Sequence, residues 1–313
     1  MTRSANRRPF AALAVLVVCM LLAPRGDADA AKAKTKKAAP APTPAAMVEL
    51  AHDGAATFRI EVRSPSATEA TFAAGELTRY LAKISGAALE PADAKSPGPR
   101  IVVGMRKDLS RADRALLPAA AKGHDGYAIA VRAGAKGREP RIVIGGDEPR
   151  GLVYAAYDLL ERLGCVFAHP RLDPGDPEIV PSKRDLALPA GRWAVASKLK
   201  LRTLAWFEWR KQKPDDLDTT PEALVAQIDW AMKSRYNTFE SAALELPPEH
   251  PLARALHAAK ERGMMLQVPG HNFALFLPSD PETFAAHPEW FGLHEGKRRM
   301  HNEYGSQFCW TNR

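Results

Sequence analysis

Residues Arg141–Phe167, RIVIGGDEPRGLVYAAYDLLERLGCVF, decide how the front half of the chain folds. Arg141 to Ile144 is a β-branched apolar run that stops at Gly145-Gly146, which marks a strand ending in a turn. From Pro149 to Leu163 the period changes. Leu152, Ala155, Ala156, Leu159, Leu160 and Leu163 recur on one helical face, and Gly164 supplies the stop. Cys165-Val166-Phe167 then reads as a short strand. A strand, turn, helix and strand in this order build a layer in which helices cover a sheet. The glycine-rich turn invites a phosphate-loop reading. It lacks GK[ST], and Asp147 and Glu148 put negative charge where a phosphate would sit. Those carboxylates are expected to cap the helix and complement its dipole. No cofactor is implied.

Upstream, Thr57–Val62 alternates as a strand. Thr68–Ser85 follows as a helix, with Ala73, Leu77, Tyr80, Leu81 and Ile84 on one face and Gly86 as its stop. Arg100–Val103 is a strand and Leu109–Ala121 a short helix or loop. Tyr127–Val131 and Arg141–Ile144 are expected to form a hairpin with a long loop. The predicted order of the front domain, residues 47–190, is β-α-β-β-β-α-β. His169–Pro189, dense in proline and charge, reads as a connector.

Downstream, residues 191–313 repeat a β/α pattern. Leu201–Trp209 is an aromatic-rich strand, Thr220–Ser234 a helix, and Asn237–Phe239 a short strand. Pro251–Arg262 is a second helix, and Met264–Val268 a strand that runs into Pro269-Gly270-His271. Asp280–His287 is a further helical segment. Three such repeats predict a parallel sheet or the start of a (β/α)8 barrel, whose strand C-termini carry the chemistry. A full barrel takes about 250 residues, more than this region holds, so the natural domain is expected to continue past Arg313. The fold class is α/β: a small α/β sandwich domain followed by an incomplete TIM-type barrel.

The first thirty residues stand apart. Arg3, Arg7 and Arg8 precede the apolar run Ala11–Ala23, and Ala28-Asp29-Ala30 is a small-residue cleavage site. This is the form of a signal peptide. Val18 before Cys19, and an apolar run that continues past it, fit a lipoprotein signal poorly. Residues 31–46 are a Lys/Ala/Pro-rich tether. The formal net charge is +8, but residues 1–46 carry eight basic side chains against Asp27 and Asp29. Little positive charge is left for the folded part, so nucleic acid is not an expected partner, and neither is a membrane after cleavage. A composition 46% hydrophobic and 26% charged is that of a globular chain. Cys165 and Cys309 are expected to be buried thiols. The nine histidines are scattered, without paired-ligand spacing, so no metal site is expected.

Two features carry a resemblance. AAGELTRYLAKISG, IVVG, GYAIAV and RIVIGGDEPRGLVYAAYDLLERLGCVFAHP resemble the small α/β domain that precedes the barrel in family 20 β-hexosaminidases and family 67 α-glucuronidases. VPGH, Val268–His271, is similar to the D-x-P-G-H motif at the third barrel strand of family 20. Arg202 and Arg210 echo that family's R-G-x(3)-D-x-x-R pattern, with Phe207 where the pattern has Asp. HPEWFGLHEGKR and QFCWTN resemble a group of secreted proteins with the same two-domain layout. The resemblance implies an exported, periplasmic or extracellular glycoside-hydrolase-like protein acting on an oligosaccharide or polysaccharide. Gln267 replaces the motif's Asp, and the family's catalytic carboxylates lie after the fourth strand, so no catalytic residue is assigned and this chain is expected not to hydrolyse. The alternative is a non-catalytic carbohydrate-binding or interaction protein. Expected substrate-binding residues are Arg202, Trp206, Glu208, Glu240, His271 and Asn272. Trp206, Trp209, Trp290 and Trp310 are candidates to stack on sugar rings, or ordinary packing residues.

Overall fold

The computed structural model describes residues 45–168, 178–205, 221–240, 253–267, 280–294 and 296–300, which belong to one compact unit. In chain order the front part contains β1 (Met47–His52), β2 (Ala55–Ala56), β3 (Arg59–Val62), α1 (Thr68–Ser85), β4 (Arg100–Met105), α2 (Arg111–Leu116), β5 (His124–Arg132), β6 (Arg141–Gly146), α3 (Pro149–Arg162), β7 (Val166–Phe167), β8 (Glu178–Ile179), β9 (Leu186–Pro189) and β10 (Gly191–Ser197). The second part contains β11 (Thr203–Ala205), α4 (Pro221–Lys233), β12 (Thr238–Glu240), α5 (Ala253–Glu261), β13 (Met265–Gln267), α6 (Pro281–Ala286), β14 (Leu293–His294) and β15 (Lys297–Arg298).

The main sheet has the order β10-β5-β6-β4-β3. β3, β4 and β6 are parallel, and β5 runs antiparallel to both β6 and β10. The expected hairpin is β5–β6, with Ile129 opposite Ile144. Alternation sorts the side chains. Ile101, Val103, Ile129, Val131, Ile142 and Ile144 face the cluster built by α1 and α3. Val102, Ala128, Ala130 and Val143 face the opposite side, under Leu109 and Leu117. A sheet apolar on both faces explains why these strands read as unbroken apolar runs. α1 buries the face its spacing predicts, Ala73, Leu77, Tyr80, Leu81 and Ile84, and ends at Gly86 with φ 82°. That left-handed cap favours glycine.

Three expectations change. First, Asp147 and Glu148 do not cap α3. Glu148 occupies the N-cap position with no side-chain cap bond, and its Oε1 accepts from the backbone N–H of Asp125 at 3.0 Å. Asp147 accepts from Arg106 Nε at 2.7 Å. The first turn of α3 instead lies on the β5 backbone, where a Cβ on Gly151 would collide with the carbonyl oxygen of Gly126. Second, the connector is not a passive linker throughout. β8 pairs with β7, and β9 pairs antiparallel with β1, placing Val48 opposite Leu188. Third, Gly191–Ser197, assigned from sequence to the second region, is the edge strand of the main sheet. These strands are short, and their partners lie far away in sequence, so no local period announces them.

In the second part β11, β12 and β13 form a three-stranded parallel sheet in sequence order. Phe239, Ile228, Ala231, Met232, Ala255 and Ala259 are buried and join the front domain's core cluster. No barrel closes among the described residues. α6 is capped by Asp280, whose Oδ1 accepts from Thr283 N–H at 2.7 Å. Cys165 is a buried free thiol, its pKa pushed up to about 11, first by burial and then by Glu178 and Glu161. Cys309 lies outside the described residues.

Candidate functional site

The two ends of the parallel sheet differ in chemistry. Its N-terminal end is fastened to the front domain through Asp125, the second residue of β5, at φ 52°. The Asp125 side chain is 1% exposed. Its carboxylate accepts from Arg150 Nε at 2.9 Å, Asn237 Nδ2 at 2.8 Å and Arg202 Nη2 at 2.5 Å. Burial alone would raise its pKa. Arg202, Asn237 and Arg150 outweigh burial and hold it below the ordinary carboxylate value. Arg150 reaches on to the Gly263 carbonyl at 3.1 Å. The Tyr154 hydroxyl donates to the Tyr236 carbonyl at 2.9 Å.

A second cluster surrounds Lys233 at the end of α4. This ammonium is 3% exposed and bonds Glu178 and Asp229. It also lies 5.2 Å from the Phe167 ring centroid and 5.4 Å from that of Tyr80. Burial lowers its pKa, but Asp229 and Glu178 outweigh that and hold it above the ordinary lysine value. Asp229 also accepts from Arg262 Nη2 at 3.1 Å, and the Tyr80 hydroxyl donates to Glu178 at 2.6 Å. Both clusters are desolvated and multiply bonded. They set the joint between the two parts and are built for rigidity.

The C-terminal end of the sheet presents Ala205, Glu240 and Gln267 in register on adjacent strands. Gln267 Nε2 donates to Glu240 Oε2 at 3.0 Å. Glu240 is half-buried and Gln267 exposed. The pair offers carboxylate acceptors beside an amide that both donates and accepts, a combination suited to sugar hydroxyls. The carboxyl ends of parallel strands are the general location of ligand sites in α/β sheets.

Of the residues expected from sequence, Glu240 lies at this rim. Arg202 lies at the opposite end. Besides Asp125 its guanidinium bonds the carbonyls of Arg235 at 2.6 Å and Leu199 at 2.7 Å. It holds the joint. Trp206, Glu208, His271 and Asn272 lie outside the described residues, as do Trp209 and Trp310. Trp290 stacks on His287 with ring centroids 3.8 Å apart. Asp125, Asn237 and Lys233 escaped the sequence reading. Lys233 left a trace, the charged pair Asp229/Lys233 four apart at the end of a mostly apolar helix. Gln267 drew notice only as the substitute for an aspartate; its bond to Glu240 depends on strand register, which one strand cannot reveal.

Residues 47–159 match the family model Glycosyl hydrolase family 67 N-terminus. Residues 175–313 match a domain of unknown function, DUF4838. Among curated proteins none matches. Similar solved structures include a family GH115 4-O-methyl-α-glucuronidase with specificity for decorated arabinogalactans, at TM-score 0.49 and 14% identity, covering 71% of this chain and 29% of that one. They also include the Streptomyces plicatus N-acetyl-β-hexosaminidase in complex with Thio-NAglucal, at TM-score 0.44 and 14% identity, covering 86% of this chain and 52% of that one. This chain therefore spans 29% and 52% of the lengths of those two proteins. The chain has two parts: a front domain, residues 47–159, of the family 67 N-terminal kind, and a second region, residues 175–313, of the DUF4838 kind.

Proposed function

We propose that this protein handles carbohydrate outside the cytoplasm, binding a glycan across the C-terminal ends of β11, β12 and β13. The observation that carries the reading is the Glu240–Gln267 pair at the rim of a parallel sheet, behind a front domain of glycosidase type. Trp206 and Glu208 follow β11 in the chain, and His271 and Asn272 follow β13. They are the proposed further contacts. Hydrolysis of a glycosidic bond usually needs two carboxyl groups, or one acid aided by the substrate. The described rim supplies one carboxyl, Glu240, so the proposal commits to binding and assigns no catalytic residue.

Calorimetric titration of the chain with a panel of neutral and acidic oligosaccharides tests it. Glu240→Ala and His271→Ala should each weaken the best ligand by about tenfold, the worth of a charge-assisted or well-placed polar contact. Binding by none of the panel, or wild-type affinity in both variants, would refute the site. Normal turnover of aryl glycosides would refute the restriction to binding. For the export reading, the mature N-terminus in the native host should be Ala31, checked by mass spectrometry; an intact Met1 terminus overturns it.

A further inference from the structure

The face of the main sheet turned away from α1 and α3 carries a row of arginines. Arg59 is the register partner of Arg100, Arg100 of Arg141, and Arg141 of Arg132. Directly opposed residues share a face. Arg132 lies two residues from Ala130, and Ala130 is the partner of Arg192 on edge strand β10, so all five guanidiniums belong to one side. Adjacent strands lie about 4.8 Å apart, so the row advances by roughly the length of one sugar per strand.

Like charges directly opposed across a sheet are destabilising. Part of the row is compensated: Arg141 bonds Asp113 at 3.0 Å, Arg100 bonds Glu61 at 3.0 Å, and Arg59 lies 3.6 Å from Glu90. The other end is not. Among the described residues, Arg132 and Arg192 form no ion pair. Arg132 Nη2 donates instead to the Glu139 carbonyl at 2.7 Å. Burial, Arg100 and Arg132 together hold the Arg141 pKa below its ordinary value, against the pull of Asp113.

These arginines line three clefts that adjoin one another. The first, about 460 Å³, includes Arg59 and ends at Pro97 and Gly98. The second, about 510 Å³, shares Pro97 and Gly98 and adds Arg100, Arg141 and Arg132. The third, about 330 Å³, shares Leu116 and Arg132 and adds Arg192, with Leu116 and Ala130 as its apolar floor on this face. Through these shared residues the clefts run together into one furrow; its arginines without an ion pair, Arg132 and Arg192, lie at one end, and Glu90, Asp113 and Glu139 also line it. We propose that this furrow is a second glycan site, which docks an extended acidic polysaccharide by its carboxylates while its apolar floor meets the sugar faces. Guanidinium forks match carboxylate oxygens two by two, and a regular row suits a polymer whose charge repeats.

The proposal rests on the carbohydrate reading but uses none of the rim residues. Its test is titration of the full chain with oligogalacturonate at low salt, beside neutral galactan and single-stranded DNA. Oligogalacturonate should bind, galactan should not, and affinity should fall as salt rises. Arg132→Ala/Arg192→Ala should weaken binding about tenfold, with the melting temperature unchanged and recovery in Arg132→Lys/Arg192→Lys. Arg192→Ala alone, on an exposed edge, should give a smaller loss and needs no refolding control. No binding of oligogalacturonate, equal binding of galactan, DNA binding as tight, or affinity untouched by the substitutions would overturn it. If the unsubstituted chain failed to bind oligogalacturonate while its Glu240-dependent binding of another glycan was intact, this inference alone would be refuted.

Discussion

Replacing Asp125 by Asn gives the sharpest probe of how the two parts are held together. Asn tolerates the left-handed backbone at φ 52° nearly as well as Asp, so the substitution removes charge without new backbone strain. Arg150 and Arg202 are then left 22% and 14% exposed with no counter-charge at this point. Breaking a buried pair by removing one partner costs about 3–5 kcal/mol. Arg150 and Arg202 keep their carbonyl bonds to Gly263, Leu199 and Arg235, so the low end applies, about 3 kcal/mol. For a domain of this size that is a fall of about 6–12 °C in melting temperature. Hydrogen exchange should show where the loss falls. Amides of β12 and β13 should exchange faster, while Ile101–Val103 in the main sheet stay protected. A melting shift within about 1 °C, or equal deprotection of both sheets, would show that Asp125 does not fasten the joint.

Other outcomes follow from the same contacts. Lys233→Met should destabilise by about 2–3 kcal/mol in urea melts, less than a wholly orphaned pair, because Arg262 still bonds Asp229 and Tyr80 still bonds Glu178. Stability should fall in acid. Asp125, Asp229 and Glu178 all have folded pKa values below their ordinary ones, so their contribution is complete above about pH 5 and lost as pH drops through the lower folded values. Lys233 is shifted upward, so its contribution is present below its unfolded value of about 10.4 and is lost only above that, as pH rises through the folded value. Urea midpoints that stay flat from neutrality to pH 3 would contradict this. Gly151→Ala should cost about 2–3 kcal/mol, because the new Cβ meets the Gly126 carbonyl and lies 3.2 Å from that of Asp125. Gly75→Ala, on the exposed side of α1 with nothing within 4 Å, should instead stabilise by about 0.5–1 kcal/mol. Thermal melts of the two variants decide both.

Much of the fold was legible because it is local. α1 and α3 announce themselves by apolar spacing and a glycine stop; α1 buries the face that spacing predicts, and α3 buries that face together with every other residue from Gly151 to Leu160. The β5–β6 hairpin and the β/α repeats of the second part are read from the same periods. The candidate site was less legible. Glu240 is placed at the rim by its position at a strand end, which sequence suggests. Arg202, expected from sequence to meet a sugar, bonds Asp125, Leu199 and Arg235 at the joint, contacts that depend on how the two parts pack.

By itself, the sequence determined the helices, the apolar strands, the two-part order and a charge confined largely to the first 46 residues. These depend on neighbours within a turn or a strand. Only the tertiary structure decided the pairing of β1 with β9, the return of β10 to the main sheet, and the contacts of Asp125 with Arg202 and Asn237 across 77 and 112 positions. It also aligned five arginines that look unrelated along the chain. Strand register brings them level, and register is set by packing and pairing between distant segments, which no local period encodes.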